Sequence, residues 1–446
     1  MDSNSSQKLG VYSLSMIVIG LVIGLGIFRA ASVSANAAIT PSVYFAAWIF
    51  GGLVALCGAL TYAEIGSRFP VTGGYYKIFS VAYHPSIAFA INGIILVSNA
   101  ASLGGVALIG SDYLAEVLFV TPPTDLLKSM IAIFAILAFY GVNLLGLRLS
   151  ANTLNVLMFI KIAMILLIIS ALFFPKIHVS SNQNYMDWMQ ISWSDLISSF
   201  GATLVAVSFT YGGYQQTINF GDEIKSPRKT IPKSIYGGIL LVIVLYLLVN
   251  LSYYKIIGFE ELKTAKGIAS IVASKLFGPI GRNLFAILLF LAVLAYVNVS
   301  LLSNPRVMYA MSLDGILPKS FSKKSGNKEV LTVSLTVFTL ICVLVVFFAS
   351  TFDRILGFVM ILDSLGMATS AATIFYLRRK TKDLNLKEIY QIKFFPWVPI
   401  FFICAYTFVG ISSFYLNPQF GFTAILVFIA LIIAYFLIQK LKRNSI

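Results

Sequence analysis

The sequence predicts an all-α integral membrane protein with about twelve transmembrane helices. Two observations carry this. Of the 446 residues, 59% are hydrophobic and 11% charged, whereas soluble domains run near 25% charged. Apolar runs of spanning length, about 20 residues, recur along the whole chain and leave no water-soluble stretch of domain size. The opening MDSNSSQKLG is polar and short, without the basic start and small-residue cleavage site of a signal peptide, so Met1 is expected to be retained.

The predicted spans cover roughly residues 12–37, 43–66, 86–118, 128–147, 154–175, 196–221, 235–257, 283–304, 330–350, 355–377, 395–416 and 420–439. The third is longer than one perpendicular crossing needs. Loops are short except for 176–195, which carries Trp188 and Trp193 and suits an interfacial belt, and 305–329. An even count puts both termini on one side. If that side is cytoplasmic, its loops hold about 22 of the 32 basic residues, as the positive-inside rule requires. The net charge of +15 is thereby a matter of topology, and no nucleic acid partner is expected.

Cys57, Cys342 and Cys404 all lie in apolar segments, which argues against a disulfide framework. His84 and His178 fall in or beside loops. Membrane-embedded histidine chemistry therefore has almost nothing to work with, and neither a metal nor a cofactor is expected.

The first span carries Gly20, Gly24 and Gly26 in VIGLVIGLGIFRA. Each glycine costs a helix about 0.8–1 kcal/mol relative to alanine. Gly20-x-x-x-Gly24 matches a close-packing motif. The other reading is that the helix unwinds near Gly24–Gly26, so that freed N–H groups face a buried anion at the positive end of a half-helix. Such backbone survives at membrane depth only where it lines a cavity or is buried in protein. The sixth span, SFGATLVAVSFTYGGYQQTINFGDE, has Gly212-Gly213, which is not a spaced packing pattern. Phe209, Tyr211 and Tyr214 flank it, as walls of a small-molecule site or as ordinary packing. Five spans separate the two interruptions, so two halves of opposite orientation are expected; paired interruptions of this kind point to a transporter site.

IGLVIGLGIF resembles the first-helix signature of the amino acid–polyamine–organocation superfamily. SFTYGGYQQTINFGDEIKSPRKTIPKSI resembles its sixth helix and following loop, in the branch of the L-type amino acid transporters. LTYAEIGSRFPVTGGYYKIF and PRVMYAMSLDGILPKSF resemble the exit of helix two and the loop after helix eight. The four matches are in family order and span most of the chain. The resemblance implies one membrane transport domain over 1–446 with the five-plus-five inverted repeat of the leucine transporter: 12–175, 196–377, then two further helices in 395–439.

The resemblance also implies a site. A substrate carboxylate would meet backbone N–H groups around Gly24, Leu25, Gly26 and Ile27. Its ammonium would meet carbonyls near Ile23 and around Phe209, with Phe209 as lid and Thr210, Tyr211, Gly212 and Gly213 around it. Leu25 stands where family members often have serine. Gly212 stands where relatives preferring cationic amino acids can carry aspartate, so a neutral amino acid is expected. No loop cysteine between helices three and four is available for a disulfide-linked accessory subunit.

Lys161 lies in the fifth span, one to two turns from an interface marked by Asn152 and Asn155, at about 1.5 Å per residue. It either snorkels or, as the resemblance implies, places its ammonium where sodium-coupled relatives hold a cation, bridging the unwound first helix and helix eight, where Asn298 and Ser300 are the partners. Asp363 is the other intramembrane charge, with no role implied. Glu64 is expected to pair with loop cations. The sequence thus points to a sodium-independent secondary transporter of neutral amino acids, an exchanger or proton-coupled, in the plasma membrane with both termini cytoplasmic. The alternatives are a membrane enzyme of acyltransferase type and a non-transporting amino acid sensor.

Overall fold

The computed structural model describes residues 8–24, 26–119, 123–174, 191–265, 267–325, 330–348 and 352–444. Trp188 and His178 lie outside them, as does Leu25. The described residues are helical almost throughout. Eleven helical segments among them are long and apolar enough to cross a bilayer, and the 17-residue Thr332–Phe348 is a shorter apolar helix. The protein is an all-α, multi-pass membrane protein.

The first span is two helices, α1 (Val11–Val22) and α2 (Gly26–Ala37). There follow α3 (Pro41–Arg68), α4 (Gly74–Ala82), α5 (Pro85–Leu118), α6 (Asp125–Leu144), α7 (Leu147–Ser170) and α8 (Trp193–Tyr211). The chain continues through α9 (Pro227–Ile257), the short α10 (Phe259–Thr264), α11 (Ile268–Ser303), α12 (Pro305–Leu313), α13 (Thr332–Phe348), α14 (Phe352–Lys380), α15 (Trp397–Leu416) and α16 (Pro418–Asn444). Starts follow local chemistry. Thr40 accepts from Val43 N–H at 3.3 Å with Pro41 in the first turn, and Thr124 accepts from Leu127 N–H at 3.3 Å. Within α11 the backbone turns at Gly278 (φ 69°), before Pro279, so the eighth span proper begins there. The long third span is one 34-residue helix.

The broken first span packs into the centre: α1 against α7 and α9, α2 against α8. Around it α5 packs on α11 and α14, and α3 on α8 and α9. The last helix, α16, is only 17% buried and faces lipid, whereas α5 is 78% buried. The two most enclosed spans, α5 and the broken first span, both line the site.

One face is tied by ion pairs that cross between elements. Glu64, fully buried at the end of α3, takes Arg68 Nε at 2.6 Å, Arg378 at 2.7 and 2.8 Å, and Ile392 N–H at 2.8 Å. Arg378 also stacks 3.6 Å over the Phe395 ring. In the same seam, burial and then the Glu64 carboxylate raise the Tyr390 phenol above its ordinary pKa. Arg306 on α12 forks onto Glu223 at 2.5–3.1 Å and covers Phe220. Leu9 pairs with this turn as a strand would, donating to Glu223 O at 2.7 Å and accepting from Lys225 N–H at 2.9 Å.

Removing Glu64 would leave two guanidinium groups without their carboxylate. Breaking a buried pair costs about 3–5 kcal/mol. Glu64→Ala is therefore expected to lower the melting temperature in detergent well below that of Glu260→Ala, which breaks an exposed pair with Lys263 worth about 1 kcal/mol or less. Equal shifts in the two variants would contradict this account of the seam.

Candidate functional site

Where α1 stops, carbonyls that a continuous helix would use lose their donors. Two of them, Ile23 O and Val22 O, have found another. Ile23 O accepts from Lys161 Nζ at 2.5 Å. The Tyr246 hydroxyl on α9 lies 3.1 Å from Val22 O and 3.3 Å from Thr210 O, so one phenol serves both broken spans. Leu21 O faces Gly213: a Cβ on Gly213 would come within 2.3 Å of it. With φ at 110°, Gly213 is also in backbone territory that other residues resist.

Lys161 is 0% exposed. It does not snorkel; it spans from α7 to the end of α1. Asn298, the expected partner on the eighth span, is engaged elsewhere, with Asn143 Nδ2 at 2.8 Å and with Ser150 Oγ and O at 2.9 Å each. Ser300 is buried, and its carbonyl accepts from Asn304 Nδ2 at 2.9 Å. The carbonyl expected to receive a ligand's ammonium, Ile23 O, already holds Lys161.

Between the two breaks lies a cavity of about 40 Å³, room for about three waters on the same measure. Gly24, Gly26, Phe209, Thr210, Gly212 and Gly213 line it. Ile23, Ile27 and Tyr211 do not. Tyr211 instead packs on Trp48 and Tyr246, with centroids at 5.9 and 5.2 Å, and reaches Trp48 O at 3.4 Å. Gly26 has a second task. A Cβ there would stand 3.0 Å from Thr210 Cα, so Gly26 lets α2 and α8 touch. Gly20 likewise faces Leu154, Met158 and Val299.

Several lining residues escape a reading that looks only at interruptions. Ser98, Asn99 and Ser102 come from α5, Gln215 and Gln216 from the turn after the doublet, Tyr296 from α11, and Asp363 from α14. Gln216 Nε2 donates to Asn99 Oδ1 at 3.1 Å, and Asn99 Nδ2 to Asn304 Oδ1 at 2.6 Å. The available signal was polarity: Ser98, Asn99 and Ser102 share one helical face in an apolar run.

A cavity bounded by two interrupted spans and polar backbone is the arrangement expected of a solute carrier. The amino acid permease family profile matches residues 9–438. The chain belongs to this family. It is 27% identical to the serine/threonine exchanger SteT of Bacillus subtilis, over 99% of both chains. It is 26% identical to the human cystine/glutamate transporter, over 90% of this chain and 79% of that one. The branched-chain amino acid permease BcaP of Bacillus subtilis is 26% identical over 86% and 83%. The protein is thus an amino acid transporter embedded in a membrane, and the membrane-enzyme alternative is set aside. Cys57, Cys342 and Cys404 are all free.

The permease site depends on close backbone contact at its glycines. Gly213→Ala is expected to destabilise the protein by at least 2 kcal/mol, by the usual order for strained or overpacked positions, and to weaken substrate-induced thermal stabilisation. Gly141→Ala is the control, because a Cβ there meets nothing within 4 Å. A Gly213→Ala variant with the melting temperature of the control would refute the close-contact account.

Proposed function

We propose that this permease is a sodium-independent secondary transporter of neutral amino acids, working by alternating access as an exchanger or with protons. The observation that carries the proposal is the cavity between the two broken spans, with Lys161 on the carbonyl freed by the first break. An ammonium brings three donors and a positive charge, so the broken helix has a partner without a dissolved cation.

Two relatives support the neutral substrate class in their names, the serine/threonine exchanger and the branched-chain permease. The cavity is small and bordered by hydroxyl and amide side chains, by Phe209 and by the Asp363 carboxylate. Spans one to five and six to ten form the two inverted repeats in this reading, over 12–175 and 196–377, with 395–439 appended. The face sealed by Glu64, Glu223 and Arg306 is the cytoplasmic one in a plasma membrane, with both termini there, as the distribution of basic loops favours. No disulfide-linked accessory subunit is part of the proposal.

Phe209 borders the cavity and packs toward Ala101 and Val359. As a lid it would close the substrate from water. Phe209→Ala is expected to slow counterflow in proteoliposomes at least tenfold, on the order of a lost aromatic contact of 1.5 kcal/mol or more, with the melting temperature little changed. Unaltered kinetics in this variant would remove the lid assignment.

Sodium independence is tested by replacing sodium with choline at fixed pH, which is expected to leave wild-type uptake of a labelled neutral amino acid unaltered. Lys161→Ala is expected to lose most transport, since Ile23 O would be left buried without a donor, a loss of about 1–3 kcal/mol. Strict sodium dependence of the wild type, or near-normal exchange by the alanine variant, would overturn this role for Lys161.

A further inference from the structure

A second cavity lies away from the broken spans, at the membrane end of three helices. It measures about 550 Å³, against about 40 Å³ between the breaks, and falls in the range of small-molecule sites, about 300–1,000 Å³. Phe69 follows the end of α3, Pro85 opens α5, and Tyr435 and Gln439 stand toward the end of α16. These positions set its depth at the boundary between hydrocarbon and headgroups. One wall is α4, which packs on α12 near Arg306, so the cavity belongs to the face sealed by Glu223 and Arg306. Another wall is α16, the least buried span.

The polar groups gather on the α4 side. Lys77 Nζ pairs with Asp314 Oδ1, just past α12. Ser80 borders the same space. Tyr76 borders it too and is 0% exposed, yet its hydroxyl has no hydrogen-bond partner among the described residues. A buried hydroxyl left alone calls for a reason. Burial and then the Asp314 carboxylate push this phenol above its ordinary pKa, so it keeps its proton and stays a donor.

The Lys77–Asp314 pair is not saturated. An ammonium has three donors, and a carboxylate accepts more hydrogen bonds than one lysine fills. The cavity therefore presents donors and an acceptor side by side, with apolar surface from Phe69, Val81 and Ile316 next to them. A free phosphate would satisfy Lys77 and Tyr76 but would face the Asp314 carboxylate with a second negative charge. A purely anionic headgroup has the same fault. The matching ligand carries anionic oxygens, an N–H-bearing cation a few bonds away, and an apolar body that reaches the lipid beside α16.

We propose that this cavity binds the headgroup of a phosphatidylethanolamine-type lipid, with its phosphate at Lys77 and Tyr76 and its primary ammonium at Asp314. A choline headgroup has no N–H to give the carboxylate. Pockets between helices at the headgroup level are known places for lipid recognition. The site also reaches the transport machinery. Tyr75 N–H donates to Asn219 Oδ1 at 3.0 Å and Gly73 N–H to Asn219 O at 2.9 Å, in the turn that leaves the sixth span. A lipid that braces Tyr76 and Lys77 therefore braces this turn from the membrane side.

The test uses the full chain, purified in detergent and stripped of lipid. Its melting temperature is measured with added dioleoyl phosphatidylethanolamine, phosphatidylcholine or phosphatidylglycerol, or with soluble glycerophosphoethanolamine. Phosphatidylethanolamine is expected to stabilise wild type most and to be the lipid retained in native mass spectrometry. Tyr76→Phe is expected to lose no stability without lipid, because the hydroxyl it removes has no partner. Its affinity for phosphatidylethanolamine is expected to fall about three- to tenfold, the order of one hydrogen bond. Lys77→Gln is expected to weaken all three lipids on the order of tenfold or more, as for a hydrogen bond to a charged group. Asp314→Asn is expected to abolish the preference for phosphatidylethanolamine over phosphatidylcholine. That preference is a ratio within one variant, so it does not depend on how well the variant folds. Counterflow is expected to be faster in phosphatidylethanolamine liposomes than in phosphatidylcholine ones for wild type, and equal for Asp314→Asn.

Equal stabilisation of wild type by phosphatidylethanolamine and phosphatidylcholine would overturn the proposal, as would a preference that survives Asp314→Asn. Stabilisation by phosphatidylglycerol alone would overturn it in favour of an anion site. Stabilisation by glycerophosphoethanolamine equal to that by the lipid would overturn it in favour of a soluble ligand. A Tyr76→Phe variant that melts early without lipid would overturn the role of the hydroxyl. The melting and mass measurements involve no solute, so they stand or fall separately from the substrate reading.

Discussion

The hydrogen bonding of the interrupted backbone is the constraint on which this structure turns. In hydrocarbon there is no water to satisfy a freed carbonyl or N–H. The permease breaks its first and sixth spans all the same, and the surrounding helices supply the missing partners. Lys161 reaches from α7 to Ile23 O. Tyr246 reaches from α9 to Val22 O and Thr210 O. The rest of the core is arranged to bring these donors to the break, which explains why α1 packs against both α7 and α9.

That arrangement also separates two kinds of glycine. Gly213 and Gly26 allow backbone to approach backbone across the two broken spans. Gly212 leaves space that faces oxygens. The first kind holds the breaks together, and the second leaves room beside them. Transport needs both, because a site that recognises charge must keep its dipoles fixed while part of it stays empty for the solute.

In the proposed alternating-access cycle the sealed face would have to open. Its contacts are specific and few enough to exchange: Glu223 with Arg306, Leu9 along the turn at Glu223, and Thr72 N–H on Asp222 at 2.9 Å. Each joins a different segment to the chain that leaves the sixth span. Movement of that span during transport would therefore be felt at this seam directly. Two states that differ by a few kcal/mol are enough for a bound solute to shift the population.

Much of the fold was legible in the sequence because its signals are local. Apolar length sets the spans, and glycine at Gly24, Gly26, Gly212 and Gly213 marks where a helix weakens. Those same positions line the cavity. The facing of side chains from distant segments was not legible. Lys161 was visible as a charge bridging the first and eighth spans; it meets the first at Ile23 O, while Asn298 on the eighth is engaged by Asn143 and Ser150, since the register between α7, α11 and α1 is set by packing. Tyr246 was one tyrosine in an apolar run, and Asp363 a charge without a role. Tertiary structure alone decided that they meet the breaks. Periodicity reports which residues share a face of one helix; which face of another helix lies opposite depends on contacts among all of them.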